Sequence, residues 1–425
     1  MLSPVDNDIM CRVSSGTPMG SLLRTFWMPA LLSRELPEPD GAPVKVRLLG
    51  ENLVAFRDST GTVGLVAENC PHRGASLFYG RNEDQGLRCV YHGWKFNAAG
   101  ECLDMPNEPF ESNFKHKVHI SAYPCRERGG LVWAYMGPAG LGAELPDLEW
   151  ARVPDSHLFL SKCLQECNWV QALEGGLDSS HISFLHSKLD RTTIAAPRGS
   201  VLAEQFGGQD PHPRFSVRET DYGFVYGARR NATNDQYYWR ITQWLLPFYH
   251  IIPAEDGAVV TGNAWVPIDD EHCWVYRASW HPDRPLTERE IHDYRYRGVM
   301  HEEVDPITFR PVANRRNDFL IDRDVQRLES YSGIKGIQAQ DMAMIETMGP
   351  IYDRTREHLG TSDTAIISMR RRLIRLTQAL ADGDVPHAAT HGASYRVRST
   401  ALLLNRGVPF DEGARERLIS PIETA

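Results

Sequence analysis

The sequence predicts an α+β protein in two units, an N-terminal all-β domain over residues 1–145 and a C-terminal domain over residues 146–425 built from an antiparallel sheet with helices. Three observations carry this. Short apolar or alternating runs broken by turn residues fill residues 25–135. A Gly/Pro-rich stretch, Pro138 to Gly142, marks a join. Beyond it, four longer β-type runs precede two segments of helical period.

The elements follow in chain order. Val44 to Leu49 and Leu53 to Phe56 read as strands, with a turn at Gly50-Glu51-Asn52. Asp58 to Gly61 and Asn97 to Gly100 are further turns, and Leu131 to Tyr135 is a strand. A helix-like segment starts near Trp169. Strands follow at Tyr222–Ala228, Tyr237–Leu245, Val259–Val266 and Cys273–Trp280, the last two joined by a hairpin turn at Pro267 to Glu271. A helix covers roughly Ile337 to Met348. Another begins at Ser362-Asp363, where Asp363 can cap it, and carries Ile366, Met369, Leu373, Leu376 and Leu380 on one face. Arg370, Arg371, Arg372 and Arg375 lie mostly off that face and read as a solvated or interface surface.

Composition narrows the class. The 425 residues are 42% hydrophobic and 24% charged, with a net charge of −9, which suits a globular protein and argues against a nucleic-acid partner. No apolar run approaches the length of a membrane span, about 18 residues. The N-terminus lacks the basic and apolar regions of a signal peptide. Eight cysteines in a chain this long do not form a disulfide framework. A reducing, cytoplasmic setting is expected, with Cys11, Cys102, Cys125, Cys163, Cys167 and Cys273 as reduced core residues.

Cys70-Pro71-His72 and Cys89-Val90-Tyr91-His92 are the densest chemistry. They read C-x-H, sixteen residues, then C-x2-H. Two thiolates and two imidazoles, one of each per loop, suit a [2Fe–2S] centre in which both cysteines hold one iron and both histidines the other, the Rieske arrangement. Neutral imidazoles make such a cluster less negative, so it accepts an electron at a higher potential than an all-cysteine cluster. The rival is structural zinc, but zinc fingers usually group cysteines with cysteines and histidines with histidines. Asp104-Met105-Pro106 could close over the cluster.

The second dense segment runs from Asn168 to His186. Glu174, Asp178 and His181 fall at i, i+4 and i+7, one helical face. His186 is five residues after His181, about 140° away on a helix, so the helix must end or distort between them. Gly175-Gly176 weakens it further. Two histidines with one acid would complete a 2-His-1-carboxylate triad, the non-heme Fe(II) set that leaves positions open for O2.

Together, CPHRGASL (Cys70 to Leu77), YHGWKF (Tyr91 to Phe96), the stretch from Asn168 to His186 and the stretch from Gln340 to Asp363 resemble the α subunit of a Rieske non-heme iron oxygenase, in the phthalate-dioxygenase-like branch of aromatic oxygenases. The resemblance implies a helix-grip-type sheet for the second domain. It implies His181 and His186 as iron ligands and Asp341 as the carboxylate ligand, with Glu346 the alternative acid. It implies Asp178 as the acid that bridges the cluster of one subunit to the iron of its neighbour, in a homotrimer or a pair of trimers. Glu174 reads as structural support, and Asn168 and Gln171 either line the iron site or serve as caps and core hydrogen bonders. A terminal oxygenase of this kind takes O2 and electrons from NAD(P)H through a separate flavin- and iron–sulfur-bearing reductase, since no Gly-x-Gly-x-x-Gly fingerprint is present. It would hydroxylate, dihydroxylate or O-dealkylate an aromatic substrate. The alternative is a Rieske electron-transfer protein without oxygenase activity. Phe184, Trp239, Trp244, Phe248 and Tyr249 are candidate pocket walls. A carboxylated substrate would want an Arg clamp from among Arg198, Arg214, Arg218, Arg229, Arg230 and Arg240.

Overall fold

The computed structural model describes residues 2–189, 194, 200–296, 298 and 300–420. Two short helices that the sequence reading passed over come first: α1 (Pro4–Cys11) and α2 (Pro18–Arg24). Each opens with proline at its start and a hydroxyl cap: Ser3 Oγ accepts from Asp6 N at 3.0 Å and Thr17 Oγ from Gly20 N at 3.1 Å. They pack on a long helix of the C-terminal half, so the chain begins on the second unit before it builds the first.

The N-terminal unit holds β1 (Trp27–Leu32), β2 (Val44–Leu48), β3 (Glu51–Arg57), β4 (Val63–Ala67), β5 (Arg81–Glu83), β6 (Gly86–Arg88), β7 (Lys95–Phe96), β8 (Cys102–Asp104), β9 (Cys125–Arg128) and β10 (Leu131–Tyr135). They form three antiparallel sheets, β2-β3-β4, β5-β6-β7-β8 and β1-β10-β9. The first hairpin turns at Leu49-Gly50, one residue earlier than expected. Both have positive φ (49° and 81°), the geometry of a two-residue hairpin loop. Leu49 adopts it because the turn docks: its N donates to Pro267 O at 3.1 Å, Gly50 N donates to Ile268 O at 2.8 Å, and Arg47 pairs with Asp269 at 3.2 Å. One hairpin tip is thereby fastened to another across the two units.

The C-terminal unit is an eight-stranded sheet of β11 (Leu158–Gln165), β12 (Arg214–Thr220), β13 (Gly223–Asn231), β14 (Gln236–Leu245), β15 (Tyr249–Ile252), β16 (Val260–Pro267), β17 (Cys273–Trp280) and β18 (Thr400–Asn405). The order is β11-β17-β16-β15-β14-β13-β12, with β18 paired to β14 and every named pairing antiparallel. The four strands read from the sequence are present, and β11, β12, β15 and β18 are added. Its α-helices of six residues or more are α3 (Trp169–Leu177), α4 (Val201–Phe206), α5 (Glu288–Tyr296), α6 (Arg323–Leu328), α7 (Ile337–Glu346) and α8 (Thr364–Ala381). Of these, α3 packs on β15, β16, α7 and α8. Asp363 does not cap α8 with its side chain; its Oδ2 instead accepts from Gly360 N at 2.7 Å.

Behind α3 sits a buried charge network. Glu174 takes Arg354 as a fork, Oε1 to Nε at 3.0 Å and Oε2 to Nη2 at 3.1 Å, and takes Arg370 Nε at 2.7 Å; Arg370 also binds Glu357. All four side chains are buried. Arg370 is thus not part of a solvated face, because it pairs with Glu174 and Glu357 inside the core. Arg371 is exposed, and Arg372 and Arg375 pair with Glu219 at the surface. Burial opposes the Glu174 charge, but the two guanidiniums win and hold its carboxyl below the usual range. Removing one member leaves buried charge uncompensated. Glu174→Ala is expected to cost about 3–5 kcal/mol of stability, measured as the shift in denaturant midpoint. Because the folded carboxyl titrates below its unfolded value, this contribution is present above the unfolded pKa and lost as pH falls through the folded one.

Candidate metal centres

The two cysteine loops are built alike. Cys70 N donates to Ala75 O at 2.8 Å and Gly74 N to Cys70 O at 2.8 Å; Cys89 N donates to Trp94 O at 2.8 Å and Gly93 N to Cys89 O at 2.9 Å. Gly74 and Gly93 turn each loop at φ 76° and 78°, a conformation that favours glycine. The cysteines are buried, and the imidazoles of His72 and His92 sit outside them, partly exposed, with ring centres 4.5 Å apart. Trp94 stacks on His72 at 4.4 Å and is fixed by Asn107 at 2.8 Å. Pro106 lies against Gly93, where a Cβ would come within 2.5 Å of its Cγ, and Arg88 ties Gly93 O to Asp104 at 2.6 and 2.8 Å. The segment expected to close over the cluster therefore packs on its second loop.

Thiols inside and imidazoles outside match the unequal irons of a Rieske cluster. A lone zinc would need all four donors around one point. Among the described residues, one group brings three metal-capable donors within 4.8 Å of one another, and it is His181, His186 and Asp341. Burial is the main cause that pushes the Cys70 thiol up to about 11; a bound metal would have to displace that proton.

At the second centre, α3 stops at Leu177. Asp178 is its C-cap in extended backbone (φ −78°, ψ 116°), and His181–Ser183 forms a single 3-10 turn. The helical face expected for Glu174, Asp178 and His181 is not formed: the helix ends first, Glu174 faces the arginines, and Asp178 turns towards the histidines. His181 Nε2 and His186 Nε2 lie 3.1 Å apart, and Asp341 Oδ1, from α7, lies 3.4 and 3.2 Å from them. Donors on one face of an octahedron with bonds of about 2.1 Å are separated by about 3.0 Å, so this triangle fits one cation and leaves its far side open.

The outer nitrogens are also held. Asp178 Oδ2 is 3.4 Å from His181 Nδ1. Gln340 Oε1 is 2.6 Å from His186 Nδ1, and Gln340 Nε2 donates to Ile334 O at 2.7 Å, which sets its amide orientation. With both imidazoles neutral, as metal ligation requires, each Nδ1–H donates outward and each Nε2 lone pair faces the triangle. Gln340 was missed in the sequence; its only signal is an amide immediately before the acid. Burial opposes a charge on His181, but Asp178 and Asp341 outweigh it and push its pKa up to about 10, while the histidines hold Asp341 well below the usual carboxylate range.

The other candidates fall outside the triangle. Glu346 is five residues further along α7, about 140° round the helix. It is buried, accepts from Glu166 N at 3.2 Å, and is pushed up to about 7 by burial. Asn168 caps α3, accepting from Val170 N at 3.1 Å and donating to Cys11 O and Asp270 O. Gln171 binds Gly349 O and Tyr352 N. Both are structural. Cys163 and Cys167 are buried free thiols beside Cys273, and burial pushes Cys163 up to about 12.

A cavity opens from the triangle. None of Phe184, Trp239, Trp244, Phe248 and Tyr249 lines it; its walls come from Tyr226, Trp265, Met342, Ile345, Ile182 and Ile252. Strand alternation decides this. Trp239 points to the opposite face, against Phe410 at 5.4 Å, while its neighbour Arg240 points into the cavity. Of the described arginines among those considered, Arg240 alone is on the wall. Arg230 is fully buried and donates to Ser179 O, Arg218 pairs with Asp411, Arg229 lies over Tyr237, Arg214 is exposed, and Arg198 lies outside the described residues. Arg240 Nε is buried without a partner, as is Nδ1 of the neighbouring His250, which burial and Arg240 push down to about 3 and so keep neutral. Arg277, not singled out in the sequence, also lines the cavity but is held by Asn263 at 2.8 Å and by Gln338. Gly175 and Gly176 let α3 approach: a Cβ would fall 2.4 Å from Ile345 and 2.2 Å from Trp265.

Comparison with known proteins shows the family to which the chain belongs. A family model of the Rieske [2Fe-2S] domain matches residues 26–122, and one described as LigXa C-terminal domain like matches residues 134–407. The chain is 38% identical to the 3-chlorobenzoate-3,4-dioxygenase oxygenase subunit of Comamonas testosteroni, over 97% of this chain and 98% of that one. It is 41% identical to the phthalate 4,5-dioxygenase oxygenase subunit of Pseudomonas putida, over 90% and 88%. The crystal structure of dicamba monooxygenase bound to dicamba shares the fold, with a TM-score of 0.60 over 85% of this chain and 99% of that one at 17% identity.

Asp341→Ala is expected to lose the mononuclear iron and all turnover while the visible spectrum of the [2Fe–2S] cluster stays, whereas Glu346→Gln keeps both. Gln340→Leu should weaken iron binding by about 10- to 100-fold. Iron analysis beside the visible spectrum reads each outcome.

Proposed function

This chain belongs to the Rieske non-heme iron oxygenases, in their phthalate-dioxygenase-like branch, and from that premise we propose that it oxygenates an aromatic carboxylate whose acid group rests on Arg240. It is the oxygenase component of a multicomponent system and draws its electrons from a separate reductase. The observation that carries the substrate reading is a pocket of apolar walls, opening on a three-donor metal face, in which one buried guanidinium nitrogen has no partner.

Cys70, His72, Cys89 and His92 hold the [2Fe–2S] cluster in this reading, and His181, His186 and Asp341 hold Fe(II). When bound, these groups supply single-electron storage and the centre at which O2 is reduced. The chain does the rest. Asp178 and Gln340 keep the Nδ1 protons of His181 and His186 in place, so both imidazoles present Nε2. Tyr226, Trp265 and Ile345 exclude water from around the ring. Arg240 offers N–H groups to the substrate carboxylate and so fixes which ring edge faces the metal. With hydride chemistry on another protein, residues 1–145 serve electron entry and residues 146–425 serve oxygenation. The unpaired state of all eight cysteines supports a reducing, cytoplasmic setting, and no described helix is long and apolar enough to cross a membrane.

Assembly completes the circuit. Among the described residues no hydrogen bond joins the two centres within one chain. Asp178 keeps 26% of its side chain exposed and His181 keeps 22%, and His92 is reachable on the other unit. These support a head-to-tail ring, a trimer or a pair of trimers, in which Asp178 accepts from His181 of its own chain and from His92 of a neighbouring copy.

Two outcomes test the reading. Reconstituted with reductase, NADH and O2, Arg240→Leu should raise KM for benzoate-type acids by about 10- to 100-fold, the loss of a charge-assisted hydrogen bond, and an unchanged KM overturns the carboxylate assignment. Asp178→Asn should keep both metals but slow oxidation of the reduced cluster in rapid mixing with O2 and substrate; an unchanged rate removes the bridge.

A further inference from the structure

The cavity has a second polar end. From the metal face it runs back beneath α3, past Gly176 and Gly175 to Ala172. Six residues separate Ala172 from Asp178, about 9 Å of helix, roughly the length of a substituted ring. In this inner lobe Ile345 and Trp265 lie against these glycines, and Gln165, the last residue of β11 and also on the cavity wall, is brought towards Ile345 by the bond from Glu166 N to Glu346 Oε1 at 3.2 Å. Gln165 is 2% exposed, and its Nε2 is buried with no hydrogen-bond partner. A buried amide donor left unpaired carries a desolvation penalty that the fold would remove by substituting an apolar residue, unless a ligand satisfies it.

The two ends differ in charge. At the first, Arg240 Nε and His250 Nδ1 are orphaned side by side. At the second, the described lining holds one further guanidinium, that of Arg277. It is engaged with Asn263 and with Gln338 in the first turn of α7, seven residues or about 10 Å along the helix from Ile345. A carboxylate pushed into the lobe would be desolvated without a counter-charge, at high cost, whereas an ether, carbonyl or hydroxyl oxygen would meet an N–H donor.

We propose that Gln165 is a specificity-determining residue that donates to an uncharged oxygen on the substrate, so that the preferred substrate is an aromatic monocarboxylate bearing an ether, carbonyl or hydroxyl group meta or para to the acid. This deepens the carboxylate reading and rests on it. It places a neutral acceptor where a second carboxylate of a phthalate-type diacid would otherwise be expected.

The test compares ligands of one shape. Dissociation constants are measured anaerobically on the ferrous holoenzyme, from the EPR signal of its nitric oxide adduct, for 3- and 4-methoxybenzoate against 3- and 4-ethylbenzoate. The wild type should favour the methoxy acid about tenfold at one of the two positions, the worth of one neutral hydrogen bond with a buried donor. Gln165→Leu, close in volume, should level the pair by weakening the methoxy acid and sparing the ethyl acid, with the Rieske spectrum unchanged. Equal affinities at both positions in the wild type overturn the proposal, as does an undiminished methoxy preference in Gln165→Leu. Arg240→Leu separates the two readings: it should weaken all four acids together and leave the methoxy-to-ethyl ratio in place. Failure of that common loss counts against the carboxylate site, and failure of the ratio counts against Gln165.

Discussion

The catalytic unit is organised around the buried ion network of Glu174, Arg354, Arg370 and Glu357. Glu174 stands on α3, Arg370 on α8, and Arg354 and Glu357 on the connection between α7 and α8. Among the described residues these four charges pair with one another alone, in a region closed to water. The four segments therefore meet in one register, since a shift of one residue would strand a charge at a cost of several kcal/mol. Arg354 extends the constraint to the chain's start, donating to Asn7 Oδ1 at 3.0 Å. That contact explains why the first helices leave the β unit and lie on the catalytic one.

The consequence reaches the metal face through α3. With the back of the helix fixed by Glu174, its glycine pair meets α7 and β16 and its C-cap falls at Asp178. The chain then turns tightly enough to bring two histidines five residues apart to within 3.1 Å of each other at Nε2. The third donor comes from α7, whose orientation α3 sets by direct packing. Asp341 and Gln340 are adjacent on that helix, and one reaches the metal face while the other holds the imidazole behind it. In the proposed centre a single helix would thus supply both a ligand and the partner that orients a second ligand.

Burial of polar groups is used in two opposite ways. In the network behind α3 every charge is paired, and the result is rigidity. In the cavity Arg240 Nε, His250 Nδ1 and Gln165 Nε2 are buried and left without partners. Incomplete donors are costly to the empty protein, and that cost is recovered on binding a molecule whose acceptors match them, which makes recognition depend on chemistry as well as shape.

What the sequence determined alone was everything whose parts are near neighbours along the chain. The two cysteine–histidine loops are local: each closes through backbone bonds four and five residues apart, so spacing and glycine positions specify them. The His181–His186 pair, the need for the helix to end near them, and the β-rich then mixed order of the two units were legible for the same reason. The tertiary structure decided the rest. The helix ends at Leu177, before the face that the spacing of Glu174, Asp178 and His181 suggests can form, because Asp178 leaves the helical conformation. Arg370 looked solvated because its partners are 196 and 13 residues away. The pocket was illegible for a more general reason. The central strands are buried on both faces, with all of β16 and nearly all of β17 inside. Alternation of polar and apolar residues then no longer says which face a side chain takes. Only packing places Arg240 in the cavity and Trp239 behind it, Gln165 at its inner end, and Asp341 on the metal face.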